Sequence, residues 1–271
     1  MTENDITFGK GGDVDLTLDL ARPEGNGPFP AIVFIHGGSW LQGSKADYDY
    51  PLQKAAARGY VAVTVNYRLT YETLANGKAR YPFPAQIKDV KCAVRWLRAN
   101  AGKYRIDPDH IGVLGFSAGG HLALLLGLTQ PSDGFEGDGG YAEYSSRVQA
   151  VVNSSGPTEL GSSSTADAFT RFLGGTYAQV PEAYAKASPV TYVRKDGPPV
   201  LTIHGDKDDV VSLTQAQDLD AKMKAVGASH TLVVKKGAGH TSFHEEKAAW
   251  DFFDRNLKVS WWHRLVRSFR K

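Results

Sequence analysis

Short apolar segments alternate with segments of helical periodicity along most of this 271-residue chain. Most of the apolar segments are continuous runs, which are typical of parallel strands covered on both faces. These candidate strands occupy residues 31–35, 60–65, 111–116, 148–152, 200–203 and 231–234. Strands that alternate with helices predict an α/β fold with a mostly parallel central sheet and helices on both faces.

The remaining periodic segments fit the same architecture. Residues 14–20 alternate apolar with polar side chains, which predicts an antiparallel strand with one face in water. Apolar residues recur at helical spacing over residues 84–104 and predict a helix there. Ser212 and Gln215 form the pattern of a capping box, so we expect a second helix that begins after Ser212 and ends before Gly227.

One motif has the setting that a reactive serine requires. The sequence G-F-S-A-G-G at 115–120 lies between an apolar strand candidate and a helix-like run. In a G-x-S-x-G strand–turn–helix, the serine occupies a strained turn, and a Cβ on Gly115 or Gly119 would collide with the neighbouring element. The hydroxyl then lies at a helix start, where negative charge is favoured. We therefore interpret Ser117 as a nucleophile, with an inert glycine-rich turn as the alternative.

A serine hydroxyl becomes a good nucleophile only when a base removes its proton, and histidine is the usual base. In enzymes with this elbow, the chain order is serine, then the acid, then histidine. His240 follows the turn G-A-G after the last candidate strand, which can project its imidazole towards Ser117. His244 is the competing base, and we favour His240. The other histidines after Ser117 are His121, His204, His230 and His263.

The acid should come from the loop after the strand candidate at 200–203. That loop contains Asp206, Asp208 and Asp209, which are too close together for spacing alone to separate. Asp206 suits closure of the turn by a side-chain-to-backbone hydrogen bond. Asp209 suits a solvated place near the next helix start. We choose Asp208 as the carboxylate that orients the histidine.

The motif H-G-G-S-W at 36–40 follows the strand candidate at 31–35 and predicts donors for a developing oxyanion. Glycines let a backbone approach the substrate closely and turn its N–H groups inward. We assign the amides of Gly38 and Ser39 as donors, together with the amide of Ala118 after the nucleophile, and Gly37 to the turn.

Two side chains of the same motif have other predicted roles. His36 precedes the nucleophile in the chain and is expected to brace the loop. Trp40 is a candidate substrate-binding residue that would form one wall of the acyl pocket. Packing in the protein core is its alternative role.

In this order, the motifs at 36–40, 115–120, 204–208 and 237–240 resemble the α/β-hydrolase superfamily. The resemblance extends from about residue 13 to residue 256 and implies an α/β-hydrolase fold with a small lid-like insertion. Three further motifs are similar to the carboxylesterase branch that contains feruloyl and acetyl-xylan esterases (BD-FAE-like). They are P-F-P at 28–30, N-Y-R at 66–68 and R-W-L-R at 95–98.

The resemblance also bears on two site residues. The second aspartate of the family's H-G-x-x-D pattern is the triad acid, which implies that role for Asp208. Ser39 stands where relatives often carry a third glycine. Its amide is still able to donate, so the predicted oxyanion hole keeps its donors.

The function implied by the resemblance is that of a serine carboxylesterase without metal or cofactor. Its expected substrates are small carboxylic esters with short acyl or aryl groups, including acetyl or feruloyl esters of carbohydrates, and the expected intermediate is an acyl-enzyme. Arylformamidase-like amide hydrolysis and oligopeptidase-like hydrolysis are alternatives, because both groups carry similar motifs. A non-catalytic hydrolase fold used for binding is an alternative of a different class.

Composition limits the classes of partner, the metal sites and the cellular locations that we expect for this chain. Charge is nearly balanced, with 31 Lys and Arg against 29 Asp and Glu, so no nucleic-acid partner is expected. Cys92 is the only cysteine, which excludes an internal disulfide and a cysteine-built zinc site. Residues 1–10 are polar, and no run approaches the roughly 18 apolar residues of a membrane span. We expect a cytoplasmic location, with secretion of a processed form left open.

Domain organisation follows from the loops and the end of the chain. We expect one catalytic domain over residues 1–257 and a basic, aromatic tail over residues 258–271. The tail suits either an amphipathic element that contacts anionic membranes or a helix that packs on the domain, and we favour packing. Residues 130–146 are expected to form a surface loop without a metal site. Residues 157–193 suit either a lid or an ordinary connection.

Overall fold

The structure is a computed structural model that describes residues 1–161 and 167–258. Eight strands form one sheet: β1 (Thr2–Gly11), β2 (Val14–Ala21), β3 (Phe29–Ile35), β4 (Val61–Val65), β5 (Ile106–Phe116), β6 (Ala150–Ser154), β7 (Val200–Gly205) and β8 (His230–Lys235). The α-helices are α1 (Asp49–Ala57), α2 (Ala85–Ala99), α3 (Ala101–Tyr104), α4 (Ala118–Leu128), α5 (Asp167–Leu173), α6 (Pro181–Ala187), α7 (Leu213–Ala225) and α8 (Lys247–Leu257).

The sheet is mostly parallel, as the alternation of strands and helices predicts. Its strand order is β1-β2-β4-β3-β5-β6-β7-β8. Strands β3 to β8 pair in parallel, and only the pairs β1–β2 and β2–β4 are antiparallel. The carboxyl ends of the parallel strands therefore lie along one edge of the sheet, where α/β folds place their ligand sites.

Helices cover both faces of the sheet, and β3 shows how the two cores are separated. Val33 and Ile35 belong to the core beneath α2 and α4. Ile32 and Phe34 belong to the core beneath α1 and α8. Successive side chains of a strand point to opposite faces, so a continuous apolar run supplies both cores. The predicted central strands and the two-sided covering are thus confirmed.

The edge strand β1 was not predicted by the sequence pattern. Its sequence is polar, and Phe8 is its only large side chain in the core. It joins the sheet through backbone hydrogen bonds to β2, which need no apolar side chains. The predicted solvent-exposed face of residues 14–20 is wrong in part, because Asp19 is only 4% exposed. Its Oδ1 forms an ion pair with Lys45 Nζ at 2.6 Å.

Two predicted helices are present with changes. The expected helix over residues 84–104 is broken at Asn100 into α2 and the single turn α3. The helix between Ser212 and Gly227 is present, and Gly227 has a φ of +70°. The predicted capping box is wrong, because the Gln215 side chain instead accepts from the Thr158 N–H at 2.8 Å. A long-range partner has replaced the local one.

The two long connections differ in how closely they pack. In the 130–146 connection, Phe135 is buried and Glu136 binds two buried cations, so only part of this stretch is a surface loop. The described part of 157–193 contains α5 and α6, and its role as a lid stays a prediction. None of the described helices combines the length and apolar character that a membrane crossing requires. Except for Lys258, the predicted tail lies outside the described residues.

Candidate active site

The elbow places Ser117 between the end of β5 and the start of α4. Its backbone has a φ of 53° and a ψ of −120°, an unusual conformation for a residue with a side chain. A Cβ on Gly115 would overlap the Gly119 carbonyl, and a Cβ on Gly119 would overlap the Ile35 carbonyl. Glycine at both positions therefore lets β3, β5 and α4 meet closely around the serine.

The imidazole of His240 lies between the hydroxyl of Ser117 and the carboxylate of Asp208. Its Nε2 is 3.0 Å from Ser117 Oγ, and its Nδ1 is 2.8 Å from Asp208 Oδ2. The three residues come from the ends of β5, β7 and β8, at the same edge of the sheet. Because a carboxylate only accepts hydrogen bonds, Nδ1 carries a proton in this arrangement and Nε2 is free to accept one from the serine.

Asp208 is held as a carboxylate by its surroundings. Its side chain is fully buried, and its Oδ1 accepts hydrogen bonds from the N–H groups of Val211 at 2.8 Å and Val210 at 3.0 Å. Burial raises the pKa of this carboxyl, but the Val211 N–H, the His240 imidazole and the Val210 N–H together hold it below its usual value. The group is therefore ionised at neutral pH.

The neighbouring aspartates lie elsewhere. Asp206 accepts a hydrogen bond from the Gly237 N–H at 2.6 Å, so its carboxylate closes the turn against the loop that carries His240. Asp209 is exposed to solvent. Of the three carboxylates in this loop, only that of Asp208 lies beside His240.

The 36–40 loop has an unusual backbone. Gly38, Ser39 and Trp40 have φ values of 100°, 53° and 61°, three successive residues in the left-handed region. Among the described residues, the N–H groups of Gly38, Ser39 and Ala118 have no protein acceptor. They are thus free to bind an oxygen of a ligand. Gly37 lies against the elbow, since a Cβ there would be 3.4 Å from the Ser117 Cβ.

The side chains of His36 and Trp40 hold this loop in place through contacts with the protein interior. His36 donates from Nδ1 to the Gly37 carbonyl at 2.8 Å and stacks on Tyr67 with ring centroids 4.2 Å apart. Burial lowers the pKa of His36, although its hydrogen bond to Gly37 opposes the shift, so the ring is neutral. Trp40 is 3% exposed and stacks on Phe172 at 4.1 Å. These contacts are those of the core-packing role, and a substrate contact by Trp40 stays a prediction.

The other described histidines after Ser117 have partners of their own, and His204 Nε2 also lies 3.3 Å from Asp208 Oδ2. His263 lies outside the described residues. His121 is fully buried and its Nε2 donates to the Ala187 carbonyl at 2.7 Å. His204 donates to the Val211 carbonyl at 2.8 Å, and His230 Nδ1 lies 2.8 Å from Asp220. His244, the competing base, lies in the turn before α8, with its Nδ1 2.6 Å from Ser242 Oγ.

A cavity of about 400 Å³ adjoins the elbow, and none of the sequence motifs predicts a role for Asp47 in its lining. Gly37, Gly38 and Phe116 line the near side, while Asp47 and His244 lie on the far side. Asp47 lies a few residues beyond the 36–40 loop, and His244 lies four residues beyond His240. His244 was predicted only as a competing base, and proximity to the 36–40 loop was the only signal in the sequence for Asp47.

Proteins with sequences similar to this chain are named esterases. The BD-FAE family model matches residues 18–223. Esterase LipC of Mycobacterium tuberculosis is 35% identical over 222 residues, which make up 79% of this chain and 53% of that protein. Esterase LipQ of the same organism is 30% identical over 250 residues, which make up 89% and 57%. The chain thus spans about half the length of the curated relatives it matches.

Solved structures share the fold over nearly the whole chain. A truncated carbohydrate esterase from gut microbiota superposes with a TM-score of 0.82 at 29% identity, covering 96% of this chain and 97% of that one. An esterase of Thermogutta terrifontis with propionate bound has a TM-score of 0.74 at 26% identity, covering 93% and 90%. With its family match over most of the sequence and its neighbours' shared architecture, the chain belongs to the BD-FAE family and has an α/β-hydrolase fold.

Proposed function

We propose that this protein is a serine carboxylesterase. The observation that carries the proposal is the His240 imidazole, hydrogen-bonded to Ser117 Oγ at 3.0 Å and to Asp208 Oδ2 at 2.8 Å. A nucleophile, a base and an orienting carboxylate in this arrangement perform acyl transfer on many folds. The esterase names of the relatives and structural neighbours support the same class of reaction.

In the proposed mechanism, Ser117 Oγ attacks the carbonyl carbon of the ester while His240 Nε2 takes the hydroxyl proton. The N–H groups of Gly38, Ser39 and Ala118 bind the resulting oxyanion. The C–O bond to the alcohol then breaks, and His240 returns the proton to the leaving oxygen. Water attacks the acyl-enzyme in the second half, with His240 again as base, and the acid leaves as Ser117 regains its proton.

Asp208 acts through His240 in this scheme. The Nδ1–H that it accepts selects the tautomer in which Nε2 can take a proton, and its negative charge stabilises the imidazolium that forms. Its two backbone hydrogen bonds fix the carboxylate before substrate arrives. We propose short acyl and aryl esters as substrates, including acetyl or feruloyl esters of carbohydrates, a choice supported by the neighbour named a carbohydrate esterase.

A nucleophile test distinguishes this function from binding alone. Replacing Ser117 by alanine should lower kcat/KM for para-nitrophenyl acetate by about a thousandfold or more and should abolish labelling by a fluorophosphonate probe. Ser242 is the matched control, because its Oγ also contacts a histidine in the same cleft, at 2.6 Å. The Ser242→Ala variant should still be labelled. Full activity or full labelling of Ser117→Ala would overturn the proposal.

A substrate panel separates the related activities. The panel contains acetyl, butyryl, octanoyl and feruloyl esters together with N-formylkynurenine and a prolyl anilide. We expect the esters to have the higher kcat/KM. Preferred turnover of N-formylkynurenine would instead identify an arylformamidase, and preferred turnover of the anilide would identify a peptidase.

A further inference from the structure

The cavity beside the elbow is placed to receive part of an ester bound at Ser117. Its volume is about 400 Å³, and Gly37 and Phe116 form the wall nearest the serine. A Cβ on Gly37 would lie 3.4 Å from the Ser117 Cβ, and the Phe116 ring lies 4.9 Å from the His240 ring. A substituent of an ester bound at Ser117 would therefore lie within reach of this space.

The far wall of the cavity is polar and ordered. Asp47 is exposed to solvent, and its Oδ2 accepts from the Ser44 N–H at 3.1 Å. This capping-box bond fixes the carboxylate in the first turn of the 3-10 helix Lys45–Tyr48. The buried Tyr48 ring and the His244 ring pack edge-to-face, with their centroids 5.5 Å apart. His244 also bonds to Ser242 at 2.6 Å, so the imidazole is held on two sides.

Asp47 is the uncompensated charge of this cavity. Among the described residues, no basic group lies within ion-pair distance of its carboxylate. Lys45 is close in sequence but binds Asp19 at 2.6 Å and Asp5 at 2.9 Å. The basic group on the His244 side is Lys54, and it binds Glu245 at 3.1 Å.

The histidine does not offset that charge at neutral pH. Burial lowers the pKa of His244, although the nearby Glu245 opposes the shift, so the imidazole is neutral. Its Nε2 lies 3.9 Å from Glu245, whose own charge is matched by Lys54. The lining therefore presents one net negative charge, that of Asp47, to any group that enters.

We propose that Asp47 is a specificity-determining residue that selects ester substrates by charge. Esters whose substituent in this cavity is neutral or cationic are accepted, and esters with an anionic substituent there are disfavoured. The inference rests on the proposed esterase function, because it concerns substrates bound at Ser117. Like charges in a partly exposed site repel, and salt weakens the repulsion.

The test uses two pairs of esters, one for each side of the reacting carbonyl. On the alcohol side, para-carboxyphenyl acetate is compared with the neutral para-acetylphenyl acetate. On the acyl side, the para-nitrophenyl monoester of adipic acid is compared with the analogue in which a methyl ketone replaces the carboxylate. The measured quantity is the anionic-to-neutral ratio of kcat/KM. Intrinsic ester reactivity cancels because each ratio is compared between enzyme variants.

Three variants isolate the charge. Asp47→Asn keeps an oxygen that can accept from the Ser44 N–H and should raise the ratio about threefold to fivefold in one of the two pairs. Asp47→Glu keeps the charge and should keep the wild-type ratio. Asp218→Asn removes an exposed carboxylate on α7 and should also leave the ratio unchanged. The rise should shrink in high salt.

The outcomes separate this inference from the proposed function. If Asp47→Asn leaves both ratios within the scatter of Asp218→Asn, charge selection by Asp47 is wrong even though Ser117→Ala remains inactive. A ratio that rises equally in Asp47→Asn and Asp218→Asn also overturns it, since net charge alone would then explain the effect. If Ser117→Ala retains esterase activity, it is the proposed function that fails.

Discussion

The Asp206 carboxylate accepts a hydrogen bond from the Gly237 N–H at 2.6 Å and so joins the loop of Asp208 to the loop of His240. The Lys207 N–H adds a bond to the Ala238 carbonyl at 2.9 Å. These two contacts connect the turns that follow β7 and β8, and the imidazole reaches the carboxylate over a short distance. The proposed acid Asp208 and the proposed base His240 are therefore positioned before substrate binds, as efficient general base catalysis requires.

The three neighbouring aspartates should respond differently to the same substitution. Asp208→Asn should lower kcat/KM about a thousandfold to ten-thousandfold, because the amide cannot select the histidine tautomer or stabilise its charge. Asp206→Asn should lower the free energy of unfolding by about 1 kcal/mol through a weaker loop contact. Asp209→Asn, in an exposed position, should change neither quantity.

Steady-state kinetics and urea unfolding measure these effects. An Asp206→Asn or Asp209→Asn variant as inactive as Asp208→Asn would contradict the assignment.

The 36–40 loop should accept glycine at one position and reject alanine at its neighbour. Ser39 has a φ of 53°, where glycine is unstrained, and Ser39→Gly keeps the backbone N–H. Its kcat/KM should stay within about threefold of wild type, because the oxyanion donor remains. Gly38→Ala should lose both stability and activity, since Gly38 has a φ of 100° and a Cβ there would overlap the Gln42 carbonyl. Kinetics and thermal unfolding of the two variants provide the check, and equal damage by both would refute this account.

His121 should make the protein less stable in mild acid. Burial lowers its pKa to about 4, although its hydrogen bond to the Ala187 carbonyl raises it. The unfolded imidazole binds a proton near pH 6.5 and the folded one does not. The stability from its neutral form is therefore present above pH 6.5 and is lost as the pH falls towards 4.

The effect can be measured by urea unfolding across this pH range. Relative to His121→Gln, which keeps a donor for Ala187, wild type should lose about 3 kcal/mol between neutral pH and pH 4. Identical pH slopes for the two proteins would show that His121 does not carry the effect.

Glu136 should be essential for the packing of the 130–146 connection. It binds Lys91 at 2.8 Å and Arg95 at 3.2 Å, and these cations are 1% and 2% exposed. Glu136→Gln leaves two buried cations without a carboxylate, so the free energy of unfolding should fall by about 3 kcal/mol. Glu143→Gln, on the exposed part of the same connection, should change it by less than about 0.5 kcal/mol. Chemical denaturation of both variants tests the difference, and similar losses would argue against a role for the buried ion pairs.

Much of the fold could be predicted because its signals are local. The apolar runs of β3 to β7 report burial on both faces, and Gly115 and Gly119 report the close approach around the elbow. The polar β1 gave no such signal, since backbone pairing with β2 holds it in place. The prediction for Gln215 was wrong because its signal was local while its partner was not. Its local pattern indicated a cap, but a partner far away in the sequence, Thr158, bound its side chain.

The sequence by itself determined the parallel α/β architecture and the order of the motifs around Ser117, because strand burial and tight turns impose requirements on neighbouring residues. Only the tertiary structure decided which of three neighbouring aspartates lies beside His240, that Trp40 stacks on Phe172, and that Asp47 lines the cavity with no ion-pair partner in the described part of the chain. Each of these depends on contacts between segments far apart in the chain. Such contacts follow from how the sheet edge brings loops together, which residue spacing does not encode.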